Sequence, residues 1–199
     1  MKRVLLLVSL GLLAGCTSAV PPPGWAQGGA PLWVPRAVWR TGSLSIDLLE
    51  DGRVTVNGTS SFSIDPAGRV MDADMLPVAL LRPDGRLVGP KGEDLGTVGP
   101  VTAAVPGSTY AWLGLLPSGE IVRYDSEGRT QGGGTWMGCG GYAPSLQACM
   151  LVTYLVATRF QPRQPPTSWP MSPYNQWNNP YSPWGTPFSP GFGFGISPW

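Results

Sequence analysis

The sequence predicts a mainly β protein: an antiparallel meander of short Gly-turn hairpins, curled into a small barrel or sandwich, followed by one C-terminal α-helix. Three observations carry this. From Ser43 onward apolar and polar residues alternate with period two, Leu44, Ile46 and Leu48 against Ser45 and Asp47. Glycine-bearing turns recur at near-constant spacing: Gly52, Gly68 and Gly85 lie 16 and 17 residues apart, and Gly119 lies 34 beyond, two periods with one turn eroded. Finally, 28 Gly and 23 Pro in 199 residues, without a collagen period, favour turns and short strands over long helices.

The first hairpin turns at Glu50-Asp51-Gly52 before Val54 and Val56 resume the alternation. Its turn returns at Asp65-Pro66-Ala67-Gly68, at Arg82-Pro83-Asp84-Gly85 and at Leu116-Pro117-Ser118-Gly119, each followed by a polar residue and a β-former. In these units the glycine takes the positive φ at which the strand reverses, and the preceding proline pre-sets its own φ. Shorter turns at Lys91-Gly92-Glu93-Asp94 and Asp125-Ser126-Glu127-Gly128, the second after strands over 110–115 and 120–124, complete a β-domain over 43–134. A β-roll of stacked repeats satisfies the same spacing and is the alternative.

After Gly132-Gly133-Gly134 the pattern changes, and residues 135–162 read as a helical segment docked on the domain. Leu146, Cys149, Met150, Thr153, Val156 and Phe160 follow helical spacing, with Ser145 as N-cap and Arg159 and Arg163 suited to the carbonyl end. Leu151, Val152 and Leu155 make the helix apolar nearly all round, so it is expected to be buried against the sheet. Its length, about 15 residues, is short for a membrane span.

The ends differ from this body. Residues 16–42 are rich in Pro and Gly, beginning with Pro21-Pro22-Pro23-Gly24, and read as an extended spacer, with Trp33 and Trp39 docking on the domain. Residues 163–199 carry no charge after Arg163. Aromatic residues punctuate Pro, Ser, Asn and Gly there at short intervals, a composition expected to give an extended, disordered tail.

At the start of the chain, Lys2 and Arg3 precede an apolar run from Val4 that closes on Leu13-Ala14-Gly15-Cys16. A charged n-region, a short apolar h-region and small residues before a cut mark a secretory signal peptide. Ending at a cysteine, the stretch resembles the lipobox of bacterial lipoproteins. The resemblance implies that 1–15 are removed and that Cys16 becomes an N-terminal residue carrying a diacylglyceryl group on its thiol and an acyl group on its amine. An ordinary signal peptide cut near Ala19 is the competing reading. A tethered protein would lie in the cell envelope, on the periplasmic side or on the outer face of the outer membrane. By the same resemblance, Thr17 rather than Asp after the cysteine implies outer-membrane sorting in a Gram-negative host.

Composition removes several function classes. The chain has no histidine, which excludes Ser/His/Asp and Cys/His nucleophilic machinery and removes the commonest transition-metal ligand. Without Lys2 and Arg3, 11 basic side chains face 12 acidic ones, so no basic footprint for nucleic acid exists. Carboxylates cluster at Asp47, Glu50 and Asp51, at Asp72 and Asp74 along one expected strand face, and at Glu93-Asp94. Turn formation and edge protection explain them as well as catalysis or calcium would, so neither enzyme nor cofactor is expected. With Cys16 lipidated, Cys139 and Cys149 remain as a pair in an oxidising compartment. They read as a disulfide worth ~2–3 kcal/mol, two free buried thiols being the alternative. The expected function is a membrane-anchored envelope lipoprotein with a non-catalytic structural or docking β-domain, held to the membrane by its N-terminal lipid and meeting an envelope protein or glycan. The alternative is a carbohydrate- or peptidoglycan-binding module with Tyr110, Trp112 and Trp136 as the platform stacking on sugar.

Overall fold

The computed structural model describes residues 19–160. The leader, Cys16 and the 163–199 tail lie outside the described residues. Twelve strands follow one another: β1 (Ala37–Thr41), β2 (Leu44–Leu48), β3 (Arg53–Val56), β4 (Thr59–Ile64), β5 (Arg69–Asp72), β6 (Pro77–Leu81), β7 (Arg86–Val88), β8 (Asp94–Val98), β9 (Thr102–Ala104), β10 (Leu113–Leu115), β11 (Glu120–Tyr124) and β12 (Thr130–Met137). One helix, α1 (Ala143–Thr158), ends the described chain. Every strand pairs antiparallel with its sequence neighbours, and β12 returns to pair with β1, with Trp39 opposite Trp136. The meander is therefore a closed barrel, and neither a sandwich nor a β-roll.

Alternation sets which side chains point inward: Trp39, Ile46, Leu48, Val54, Phe62, Val70, Leu87, Leu113 and Ile121 join one buried cluster, while their strand neighbours face out. Because strands alternate in direction, the turns fall on two rims. The upper rim carries the β2–β3, β4–β5, β6–β7, β8–β9 and β10–β11 turns, so Gly52, Gly68, Gly85 and Gly119 all lie there. At each, the glycine carbonyl accepts from a later strand end: Ile64, Leu81, Val98 and Trp136 donate to them in turn at 2.7–2.9 Å. The eroded repeat is the β8–β9 turn, where Val101 takes the glycine's place and accepts from Leu115 at 2.8 Å.

An eight-stranded barrel is just wide enough for its own side chains to fill, and twelve strands leave a lumen. The helix fills it. From Ala148 to Ala157 every residue of α1 is buried, so no face of the helix meets solvent along that run. Contacts from the helix and the residues just after it reach opposite walls: Phe160, two residues past α1, stacks on Phe62 of β4 at 4.4 Å, and Tyr154 meets Trp112, beside β10, edge-on at 6.0 Å. In the strand order β4 and β10 stand six places apart, diametrically opposed. Direction is fixed by β8, whose upper end, the Val98 carbonyl, accepts from Gln147 at 2.8 Å, while Leu95 nearer its lower end accepts from Tyr154. The helix thus enters at the upper rim and runs down to the lower one. The sequence led us to expect packing against a sheet; the sheet instead surrounds it.

Several local expectations are corrected by this arrangement. Tyr142, not Ser145, stands at the N-cap, and its side chain makes no capping bond; Pro144 within the first turn lacks the N–H that would need one. The Ser145 hydroxyl donates instead to the Cys139 carbonyl at 2.6 Å. Arg159 closes the helix through its backbone N–H to Leu155, and Arg163 is outside the described residues. Cys139 and Cys149 are disulfide-bonded, tying the upper rim to the second turn of α1. β12 carries the sheet to Met137, past the limit expected at 134, because it must reach β1 to close the barrel.

The stretch expected as a spacer, 16–42, belongs to the fold from Pro22 onward. β1 lies within it, and Trp39 is fully buried, its indole N–H donating to the Gly133 carbonyl at 2.9 Å. Upstream, Pro23 packs beside Gly92 at the lower rim, and Gly24 lies against Leu80 on the outer wall. Arg69 then holds the Trp25 and Ala26 carbonyls at 2.8 and 3.2 Å. This strap explains why Leu80 and Val88, paired across β6 and β7, are buried although they lie outside the lumen cluster. At the upper rim the strap crosses the mouth, with Ala30 donating to the Leu81 carbonyl, Leu32 to Pro66 and Trp33 to Pro144.

Candidate functional site

The upper rim carries an apolar groove beside the mouth of the barrel. Two recesses of about 590 and 620 Å³ flank the same strip, Gly138-Cys139-Gly140, which links β12 to α1. One wall is built by Val101, Leu116 and Pro117 from the β8–β9 and β10–β11 turns, with Leu146 of α1 at its base. The other is Trp33 and Pro35 of the strap, Tyr142 and Ser145. The disulfide holds the floor in place. None of the lining side chains is charged.

Local sequence explains why aromatic rings stay in the open here. Trp33 sits between Pro31 and Pro35, and Tyr142 follows Gly140-Gly141, so neither belongs to a strand or helix that could turn it inward. Trp33 is 65 % exposed and Tyr142 64 %. Trp33 was expected to dock; its backbone does, at 3.4 Å to the Pro144 carbonyl, and its ring does not. Val101, Leu116 and Met137 add exposed apolar surface on the same rim. Such a groove can take an uncharged ligand by contact with aromatic faces and aliphatic walls. Its lining offers no acid–base pair, and the hydroxyl of Ser145 is committed to Cys139.

The three residues expected to form a sugar-stacking platform do not share a face. Trp136 is 3 % exposed, stacks on Trp39 at 5.9 Å and donates from its indole to Thr153 of α1 at 2.8 Å, so its ring is turned into the barrel and only borders the first recess. Trp112 lies at the opposite, lower rim, half-buried against Tyr154, with the guanidinium of Arg123 5.6 Å from its ring. Only Tyr110 is open, at 82 %. It lies in the β9–β10 loop, because β10 starts at Leu113 and not at 110 as the pattern suggested. Alternation assigns Trp136 its direction only once the register with β1 is known. The signal that would have found Trp33 and Tyr142 is an aromatic residue bracketed by Pro or Gly.

Several of the carboxylates bond within their own turns and hairpins. Asp51 takes the backbone and guanidinium N–H groups of Arg53, which hold its carboxyl below the usual range. Asp74 stands in the β5–β6 turn and not on a strand face with Asp72, whose carboxylate accepts from the Asp74 and Leu76 N–H groups. Among the described residues no three His, Cys, Asp or Glu side chains gather where they could hold a metal ion. No family model, curated protein or solved structure matches this chain.

One group inside the barrel titrates far from its ordinary value. Burial first, then the nearby Asp94 carboxylate, pushes the Tyr154 phenol up to about 12, with Arg159 opposing. The neutral phenol donates to the Leu95 carbonyl. An unfolded tyrosine ionises near 10, so the stabilisation is complete below pH 10 and is lost as pH rises towards 12. Denaturant midpoints measured from pH 8 to 12 should fall over that window in the native protein. With Tyr154→Phe the fall should be shallower, whatever the offset caused by the lost hydrogen bond.

Proposed function

We propose that this protein is a lipid-anchored module of the cell envelope, non-catalytic, tethered through Cys16 and presenting its upper-rim groove to an envelope component. The Leu13-Ala14-Gly15-Cys16 stretch supports the anchor, and the Cys139–Cys149 disulfide suits a compartment outside the cytoplasm. The observation that carries the reading is the opposition of tether and groove. The strap starts at the lower rim, where Pro23 packs beside Gly92, and the aromatic groove opens at the upper rim, one helix length away. A bilayer below then leaves the groove facing into the envelope space. No helix among the described residues is long and apolar enough to cross a membrane.

Exposure of Trp33 and Tyr142 favours a second reading within the same geometry, in which the envelope component is a neutral glycan stacking on these rings. Mass spectrometry of protein from a native-like host tests the anchor: the mature chain should begin at acylated Cys16. Glycan pull-down tests the ligand. Trp33→Ala should weaken retention by about tenfold, the loss of ~1.4 kcal/mol of contact, while deletion of 164–199 should leave it unchanged. Retention that follows the tail and ignores Trp33 would reject the glycan reading.

A further inference from the structure

We propose that the lower rim is seated on the lipid bilayer, with the Met75-Leu76 tip and Tyr110 entering the headgroup layer on either side of the tether. This rests on the lipid anchor at Cys16. Its basis is the shortness of chain left between the anchor and the folded body. Pro22 is already buried, and Pro23 is packed at the β7–β8 turn. Five residues lie between Cys16 and Pro22, and the six steps at ~3.3–3.6 Å each extend ~20–22 Å at most. That is less than the length of the 16-residue α1 at ~1.5 Å per residue. The tether therefore keeps the lower rim within ~20–22 Å of the bilayer and is too short to bring the upper rim down to it, so the strap fixes which end faces the membrane.

What lies at that end suits an interface. The β7–β8 turn that receives the strap has the β5–β6 and β9–β10 loops as its neighbours on the rim. The first exposes Met75 (64 %) and Leu76 (45 %), the second Tyr110 (82 %). Met75 is held at φ 61°, a left-handed conformation that an unbranched non-glycine residue adopts at a cost and that marks a position under constraint. The constraint is local: Met75 N–H donates to the Asp72 carbonyl and Leu76 N–H to the Asp72 carboxylate, so the turn is built to present these two side chains at its tip. The Met75 sulfur accepts from the Ser63 hydroxyl at 3.9 Å, and most of the side chain remains open. Tyrosine at an interface places its ring among acyl-chain ends and its hydroxyl among headgroups. On these turns the exposed Asp74 and Glu93 outnumber Lys91, so the contact is apolar in character and draws no strength from anionic lipid.

The test uses the full-length acylated protein in phosphatidylcholine vesicles, with the acyl group on Cys16 verified by mass spectrometry on the same sample. An environment-sensitive fluorophore is placed at Tyr110→Cys, at Met75→Cys and, as the upper-rim control, at exposed Arg82→Cys. Brominated lipid should quench the two lower-rim labels at least fivefold more than the control, with little change between 50 mM and 500 mM salt. Acylated protein whose Tyr110 and Met75 labels are quenched no more than the Arg82 label overturns the seat and leaves the anchor standing. Protein without an acyl group at Cys16 overturns the anchor and the seat together.

Discussion

Leu151→Asp should abolish the folded barrel at 37 °C. Leu151 stands midway along α1, fully buried, with strands on every side, so an introduced carboxylate has neither water nor a cation to meet. An unpaired charge in such a place costs more than ~4 kcal/mol, a large share of the 5–15 kcal/mol by which a domain of this size is stable. The unfolding midpoint should fall by at least ~10 °C, or the cooperative transition should disappear. Leu151→Met, which conserves volume, should cost less than ~1.5 kcal/mol. A charged variant that melts within a few degrees of the native protein would mean that the helix does not lie in the lumen.

A change of one methyl group on the upper rim should be nearly as damaging. Gly52 holds φ at +87°, and a Cβ there would sit 1.8 Å from the carbonyl oxygen of Ile64, whose own N–H donates to the Gly52 carbonyl. Gly52→Ala must therefore push two strands apart as well as strain the backbone, at a cost on the order of 3 kcal/mol or more. Gly58, in the β3–β4 turn on the lower rim, has a similar φ of +78° and nothing within 4 Å of the added atom. Gly58→Ala should cost only the left-handed penalty of ~1 kcal/mol. Denaturant midpoints of the two variants separate the terms, and equal costs would reject close approach as the reason for glycine at 52.

The same contrast shows what was legible in the chain. The repeat of Gly52, Gly68, Gly85 and Gly119 could be read directly because each upper-rim turn solves one local problem, and local problems leave a spaced residue type behind. Strand alternation, the C-terminal helix and the Cys139–Cys149 bridge were legible for the same reason. Closure was not, since it depends on Trp39 meeting Trp136, 97 residues apart in sequence, and neither residue's neighbourhood differs from that of an edge strand. The role of α1 was half legible. Apolar residues on all its faces announce burial, but a helix under a sheet and a helix within a barrel have the same sequence. The strap misled for a physical reason: Pro and Gly extend a chain equally well whether it is free or laid on a wall and held by bonds such as those the Arg69 guanidinium donates to its carbonyls. For the groove, Trp136 supplies only the edge of a buried ring and Trp33 an open one, because side-chain direction on a strand depends on register and in an irregular segment depends on what surrounds it.

The lumen helix also imposes an order of events. The ribosome makes α1 after all twelve strands, and β1 waits through the whole meander for β12. A nascent chain has neither a stopper for its lumen nor a partner for its first strand until its last described residues emerge. Contacts that distant form slowly and leave unpaired strand edges in the meantime. The sealing step then falls to the final sixteen-residue helix and the bridge that fastens it, and a premature stop anywhere before them yields an open ribbon rather than a smaller barrel.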